Sequence, residues 1–353
     1  MEDVEGAWDG KTLAEPEKED NIYQISTGAE LAWFADHVNS GADDQDAILL
    51  NDIHLGGYDW TPIGNNKTVF KGNFDGQNHS VIGLYIDNIS GARQGLFGYL
   101  ANGQICNLSV DGYVRARQYV AGIVGYMDEN ATVDRCSNHA RIIGDNGGKT
   151  GILNAIGFIG GITGTINKAT GKITNSYNTG DITSLSTSSS AISAGGIACN
   201  CVKGSVIANV YNIGEISGAK TGACLAVATS DNRAGLTNAY AIKQYEVFSG
   251  ETLVTEEQMR SGEVAYKLGE AFGQEIGVDE HPVIGGKKVL YDEATDTYYN
   301  EKEPSSGVED VCVDGDEDLI YYNLEGVASD RPFKGFNIVV NKANGTSKKV
   351  YIK

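Results

Sequence analysis

The chain has 353 residues and is rich in glycine, with 46 Gly against 5 Pro and 3 Met, a composition typical of turns and strands that argues against a helical bundle. Its 27 basic and 47 acidic residues give a net charge of −20, which repels phosphate backbones and anionic bilayers and disfavours nucleic-acid partners. Because no window approaches 18 consecutive apolar residues, we expect no direct membrane insertion.

The N-terminal part combines an acidic segment with one predicted helix. Residues 1–20 hold many acids and are predicted to be a solvated boundary. Thr27 and Glu30 then form a capping box ahead of apolar residues at helical spacing, and Gly41 is a stop signal. We expect this short amphipathic helix to cover the open end of a stack of strands, with Trp33 and Phe34 facing that stack.

A repeat of variable length follows the helix. Its copies align without gaps but recur at unequal intervals, so the strands are kept while the loops between them vary. The six aligned segments are VIGLYIDN from Val81, ICNLSVDG from Ile105, VDRCSNHA from Val133, ITNSYNTG from Ile173, IANVYNIG from Ile207 and LTNAYAIK from Leu236.

Columns of this alignment predict which side chains stack. The first and fourth positions are small or apolar, and the tenth position holds Val114, Ile142, Ile182 and Ile216, so these three columns are predicted to form the core. A further column holds asparagine, whose amides can hydrogen-bond from one strand to the next along a stack. The members of this predicted ladder are Asn138, Asn178 and Asn212.

Glycine motifs before most copies indicate at least two strands per repeat. The clearest are Gly95-Leu96-Phe97-Gly98, Gly122-Ile123-Val124-Gly125 and Gly161-Ile162-Thr163-Gly164. The predicted fold is therefore all-β, a right-handed parallel β-helix of roughly seven to nine coils with short capping helices. A second helix is predicted from Thr255, at the opposite end of the stack.

The order and spacing of these blocks resemble the GLUG-repeat surface proteins of Bacteroidetes. The resemblance covers the chain up to about Gly286 and is carried by YQISTGAELAWFADHVNSG, ILLNDIHLGGYDWTPIG and FKGNFDGQNHSVIGLYIDN, followed by the glycine motifs. It implies a β-helix, export to the cell surface or the extracellular space, and an adhesive or glycan-associated role.

The C-terminal part is predicted to be a separate small domain. Tyr322 to Gly326, Lys334 to Val339 and Lys348 to Lys353 are similar to the C-terminal β modules of exported Bacteroidetes proteins, which implies a role in secretion or surface attachment. We expect three regions: an acidic segment at 1–20, the GLUG-type β-helix with its caps at 21–303, and a β-sandwich-like domain at 304–353.

Catalytic and metal-binding patterns are weak. Asp87 and Asp111, with Arg115 and Arg117 nearby, are the nearest approach to a lyase or glycosidase site, but a solvated salt-bridged edge is the better interpretation. The five His lack metal-ligand spacing, an acidic stretch from Asp314 lacks the glycine of a calcium loop, and the six Cys are predicted to be free thiols. We expect no enzyme, no catalytic residues, no cofactor and no metal.

The predicted binding surface is a column of aromatic residues. Tyr85, Tyr177, Tyr211 and Tyr240 occupy one position of the repeat between inward-facing columns, so we expect an outward aromatic strip suited to sugar rings or to a partner protein. The alternative interpretation is that the tyrosines only stack on one another and have a structural role.

The expected function is that of a monomeric, non-enzymatic surface protein that binds an extracellular glycan or a host or bacterial surface protein. The alternatives are a β-helix polysaccharide lyase or glycosidase, and a structural spacer.

Overall fold

A computed structural model describes most of the chain. The described residues are 6–148, 157–185, 194–218, 220–227, 235–246, 250–285, 289–292, 297–300, 319–323, 326–329, 331, 333, 335–341 and 347–352. The chain divides into two compact units, residues 1–299 and 300–353. Its described part is mostly β, with three helices, in agreement with the composition.

The elements follow in chain order. The N-terminal elements are β1 (Glu17–Glu19), β2 (Ile22–Ile25), α1 (Gly28–Asn39), β3 (Asp46–Leu49) and β4 (Ile53–His54). The repeat region contains β5 (Asn73–Gln94), β6 (Phe97–Ala101), β7 (Gln104–Val120), β8 (Val124–Asp128), β9 (Thr132–Asn138), β10 (Arg141–Gly144), β11 (Ile159–Gly160), β12 (Thr163–Ile166), β13 (Lys172–Asn178), β14 (Ile182–Ser184), β15 (Ala194–Gly195), β16 (Ala198–Cys201), β17 (Val206–Asn212), β18 (Ile216–Ser217), β19 (Thr221–Gly222), β20 (Leu225–Val227) and β21 (Gly235–Ala241). The remaining elements are β22 (Thr252–Leu253), α2 (Glu256–Arg260), α3 (Glu263–Leu268), β23 (Phe272–Gly273), β24 (Val283–Ile284), β25 (Val289–Asp292), β26 (Thr297–Asn300), β27 (Leu319–Tyr322), β28 (Ala328–Ser329), β29 (Gly335–Asn341) and β30 (Ser347–Ile352).

Successive repeats pair in parallel and in register. Ile173 lies opposite Val133 on one side and Ile207 on the other, as the alignment predicted. The row continues in both directions, so that one column passes through Tyr23, Ala47, Phe74, Ile105, Val133, Ile173, Ile207 and Leu236. A second parallel sheet consists of β6, β8, β12, β16 and β20, which alternate along the chain with strands of the first sheet.

The first of the six aligned segments was misplaced. Phe74, not Val81, lies opposite Ile105, and Val81 lies opposite Val110 instead. The column assigned from Val81 and Tyr85 is therefore wrong for this copy. The reason is that β5 and β7 are long bent strands with register shifts, so each carries two stretches of alternating apolar residues that can be aligned.

A left-handed residue near the start of each repeat strand explains why the first and fourth positions both face the core. Residues three apart on a regular strand face opposite sides. Here the third residue of the aligned segment has a φ near +50°. This left-handed residue bends the strand and turns the side chain of the fourth residue towards the core. Asparagine tolerates this conformation better than most residues. The bent positions are Asn107, Arg135, Asn175, Asn209 and Asn238.

The predicted asparagine ladder is present and buried. The Asn138 Nδ2 atom donates to Asn178 Oδ1 at 2.6 Å, and Asn178 Nδ2 donates to Asn212 Oδ1 at 2.7 Å. The ladder also accounts for the first glycine of the second and third motifs, because a Cβ atom at Gly122 or Gly161 would collide with the amide of Asn138 or Asn178. Glycine is required there to let the backbone approach the ladder.

The N-terminal helix covers one end of the core, as predicted. Thr27 and Glu30 form the expected capping box, and Ser40 ends the helix. Phe34 is fully buried, with its ring centroid 6.1 Å from those of Phe70 and Phe74. Part of the acidic N-terminal segment is also packed, since Trp8 is buried and contacts Trp60 edge to face.

The helix predicted from Thr255 differs from expectation. It is interrupted at Gly262, which has a left-handed φ of +88°, and so becomes two short helices, α2 and α3. These helices pack against the side of three successive strands, where Met259, Val264 and Leu268 are buried. They therefore cover a lateral face and do not close the end of the stack.

The second unit, described by itself, contains one antiparallel sheet in the order β28, β27, β29, β30. Its small apolar cluster is formed by Tyr321 and Val339, with Leu319 and Phe333 against them. The first part of LIYYNL, Leu319–Tyr322, is a strand, as predicted. The described residues of this unit form a single sheet, so they do not make up the expected sandwich.

Candidate functional site

Three of the four predicted tyrosines come together in one column. Tyr177 and Tyr211 lie opposite each other, with ring centroids 4.8 Å apart and planes inclined by 4°. Tyr240 follows in register. Tyr85 lies elsewhere and stacks on Tyr113 at 5.6 Å. The corresponding position of β5 is Ser80, because of the register error described above.

The tyrosine column is covered, which corrects the expectation of an exposed strip. Tyr177, Tyr211 and Tyr240 are 6%, 0% and 6% exposed. Their rings share an apolar cluster with α2, α3 and Phe272. The Tyr211 hydroxyl donates to the Pro282 carbonyl and lies 2.8 Å from His281 Nδ1, and burial raises the Tyr211 pKa well above its ordinary value. The alternation of side chains along the strands predicted that these tyrosines point away from the main core. They do not reach solvent, because α2, α3 and Phe272 pack over them.

A groove remains open beside the covered tyrosines. One cavity of about 110 Å³ is lined in part by Tyr177, and an adjoining cavity of about 350 Å³ is lined in part by Glu270 and Ala271, which follow α3. Both are lined by Asn78, Asn107 and Arg135, so they form one continuous groove. Its other walls are formed by Leu108, Ser109, Ser137, Tyr177, Glu270, Ala271, Ile284 and Gly285.

The polar residues shared by the two cavities have unusual backbone geometry. Asn78, Asn107 and Arg135 have φ values of +66°, +50° and +50°. An arginine at a left-handed position is uncommon, and such outliers concentrate at functional sites. Sequence analysis missed these residues, although Arg135 was visible as the one charged residue in its column.

The groove wall continues into a buried polar network. His139 Nε2 lies 3.1 Å from Ser137 Oγ, and His139 Nδ1 lies 2.6 Å from Thr179 Oγ1. Ser137 Oγ in turn donates to Ser109 Oγ at 3.0 Å. Burial lowers the pKa of His139, and nearby His281 lowers it further while Asp111 opposes the change. The imidazole is therefore held neutral, with one ring nitrogen donating and the other accepting.

Sequence comparisons give one partial match. No protein-family profile matches the chain. A segment of 118 residues is 32% identical to a protein of Evansella cellulosilytica named "Putative Gly-rich membrane protein". This match spans 31% of the chain but 13% of that much longer protein.

One solved structure has a similar fold. It is described as "a putative immunoglobulin A1 protease from Bacteroides ovatus", with a TM-score of 0.52 and 17% identity, and the alignment covers 77% of this chain and 95% of that one. At this identity the likeness concerns the fold alone. No GLUG-repeat family is matched.

Of the predicted carboxylate pair Asp87 and Asp111, Asp87 belongs to a salt-bridged edge, but it lies opposite Arg115 on the neighbouring strand and not opposite Asp111. Arg115 lies 3.4 Å from Asp87 and 2.5 Å from Asp145. Burial alone would raise the pKa of the Asp145 carboxyl, but the hydrogen bond from Arg115 holds that pKa below its usual value. Asp145 was not expected as the partner, because the loop that brings it to Arg115 has no counterpart in the other repeats.

The remaining predicted features are the thiols and the acidic stretch from Asp314. Cys106, Cys136, Cys201 and Cys224 carry free thiols, as expected, and burial raises the pKa of each. Asp314, Asp316, Asp318, Glu325 and Cys312 lie outside the described residues. Within the described ranges, no cluster of three or more His, Cys, Asp or Glu side chains could hold a metal. No helix in those ranges is long and apolar enough to cross a membrane.

Proposed function

We propose that this chain is an exported, non-enzymatic surface protein that binds an extracellular glycan or a surface partner. In this proposal its stacked strands form a right-handed parallel β-helix of the GLUG-repeat type. The in-register parallel pairing of successive repeats and the alternation between two parallel sheets support that architecture. The C-terminal sheet would serve secretion or attachment.

The groove beside Tyr177 is the observation that carries the binding function. Amides, hydroxyls and a guanidinium from Asn78, Asn107, Ser109 and Arg135 line it, with the Tyr177 ring at one end. Sugar-binding sites combine such hydrogen-bonding groups with an aromatic surface. The left-handed backbone at Arg135 belongs to the repeat, but the strand bend does not require a guanidinium at that position, whereas a binding site would use one.

A binding assay with matched variants tests this function. Arg135→Asn and Asn107→Gly remove groove side chains but keep residue types that tolerate a left-handed backbone. Asn209→Gly makes the same kind of change at an equivalent position that does not line the groove. On a glycan array, we expect the two groove variants to lose binding by about tenfold or more. Equal binding by all variants, or no glycan binding by the unmodified chain, would contradict the proposal.

A hydrolase is the second candidate, favoured by the contact between Ser137 and His139. A serine within hydrogen-bond reach of a neutral histidine is the arrangement of an activated nucleophile. Against it, the Ser137 hydroxyl donates to Ser109, Ser137 is 4% exposed, and the third residue is Thr179 in place of a carboxylate. Labelling of Ser137 by a fluorophosphonate, lost in Ser137→Ala, would favour this candidate. Cleavage of a uronic-acid polymer to an unsaturated product would favour a lyase.

A further inference from the structure

A second cavity lies away from the groove, between the loop after β4 and the end of β5. It has a volume of about 300 Å³, at the lower end of the range typical of small-ligand pockets. Its walls are mostly polar and include Thr61, Asn65, Asn66, Asn88, Arg93 and Gln94. The cavity shares no lining residue with the groove.

Arg93 is the charged group of this cavity, and aromatic rings hold it in place. Its guanidinium carbon lies 4.6 Å from the ring centroid of Tyr126 and 5.2 Å from those of Tyr99 and Tyr119. The buried Nε atom has no hydrogen-bond partner among the described residues, and no described carboxylate forms an ion pair with Arg93. The Asp128 carboxylate accepts a hydrogen bond from the Tyr99 hydroxyl at 2.9 Å.

The backbone presents Arg93 in a conformation that arginine rarely adopts. Its φ is +60°, and Tyr119 on the neighbouring strand has a φ of +54°. The second glycine of the next motif makes this packing possible, since a Cβ at Gly125 would meet the backbone of Arg93 and Gln94 at 2.7 Å. Tyrosine rings and strand packing thus maintain a strained arginine that has an unsatisfied donor, which is typical of a preorganised ligand site.

We propose that this cavity binds a carboxylate-bearing sugar, with Arg93 pairing its carboxylate. A guanidinium matches a carboxylate through parallel N–H donors. The exposed amides of Asn66 and Asn88 make no hydrogen bond within the described part of the chain, so both are available to sugar hydroxyls. Because the chain carries a net charge of −20, its overall field repels anions. Binding of an anionic sugar therefore requires a local positive group such as Arg93.

Calorimetry with the full chain and trigalacturonate tests the proposal. We expect trigalacturonate to bind more tightly than its carboxyl-reduced form, with affinity falling as salt is raised. Arg93→Asn, which suits a left-handed backbone, should lose about tenfold or more in affinity, with circular dichroism showing that the chain is still folded at the assay temperature. Asn88→Ala, on the exposed wall, should weaken binding several-fold and serves as the test if Arg93→Asn does not fold.

The matched control is Asn209→Gly, at a left-handed position that lines neither this cavity nor the groove. It should leave trigalacturonate binding unaltered. A chain that binds on the glycan array through the groove but does not bind trigalacturonate would separate failure of this site from failure of the proposed function. The proposal is overturned if the unmodified chain does not bind trigalacturonate, if the reduced sugar binds equally well, or if Arg93→Asn binds normally. Equal binding of triglutamate would assign the cavity to acidic peptides and overturn the sugar assignment.

Discussion

At the scale of single residues, Ile182 tests the assignment of inside and outside. It is fully buried and lies between Ile142 and Ile216 in adjacent rows. Ile182→Asp would place an unpaired charge in a dry column, and we expect it to lower the free energy of unfolding by about 4 kcal/mol or more. Urea denaturation measures this loss.

The adjacent residue is the control for that substitution. Asp181 is exposed, and its carboxylate accepts a hydrogen bond from the Glu215 amide at 3.2 Å. Asp181→Asn keeps an acceptor oxygen there, so we expect a change below about 0.5 kcal/mol. Similar losses in the two variants would show that the column is not a core position.

The buried asparagine ladder makes a second residue-scale prediction. Asn178→Ala removes the side chain that joins Asn138 to Asn212 and leaves both of those amides short of a buried partner. An unsatisfied buried polar group costs about 1–3 kcal/mol, so we expect a loss of about 2–4 kcal/mol in unfolding free energy. Asn209→Gly, in the half-buried ladder on the other side of the strand, should cost less than about 1 kcal/mol. The reverse order would contradict the burial argument.

At the scale of elements, the segment from β22 to β24 is a cover over the tyrosine face. Its apolar residues pack on Tyr177, Tyr211 and Tyr240 in a cluster separate from the main core. Because few long-range strand contacts hold it, this cover is expected to open more readily than the strand stack. Its closure positions Ile284 and Gly285 at the groove.

Phe272→Ala should open this cover. Phe272 is buried, with its ring 5.9 Å from that of Tyr211, and removing a buried phenylalanine costs about 3–5 kcal/mol. We expect faster amide hydrogen exchange across residues 250–285, with the repeat strands still protected. Val278→Ala, at a 68% exposed position of the same segment, is the control. Uniform loss of protection over the whole chain would mean that cover and stack form one cooperative unit.

At the scale of the whole molecule, His139 couples stability to pH. Its folded pKa is lowered below 6.5, chiefly by burial, so the unfolded chain binds a proton more readily. This contribution to stability is fully present above about pH 6.5 and decreases as the pH falls towards the folded pKa. Urea midpoints measured between pH 7.5 and 5 should therefore fall, and the fall should be smaller in His139→Gln. An identical pH dependence in both proteins would contradict the assignment.

Much of the strand architecture was predictable because it repeats. Each strand pairs with the next copy of itself, so a column of the alignment is also a column in space, as the stacked isoleucines around Ile182 and the ladder through Asn178 confirm. The capping box at Thr27 involves residues that are close in sequence, so it was also predictable. In these cases neighbours in the sequence pattern are neighbours in the fold.

Only the tertiary structure decided the features that join different parts of the chain. The bends in β5 and β7 moved Tyr85 out of the predicted column. The apolar segment around Phe272 packs on the remaining tyrosines and so buries its own apolar side chains. No local sequence pattern predicts which face of the strands this segment covers. Arg93 meets Tyr99, Tyr119 and Tyr126 from separate strands. Such non-repeating contacts depend on how the sheets pack, so periodicity alone does not predict them.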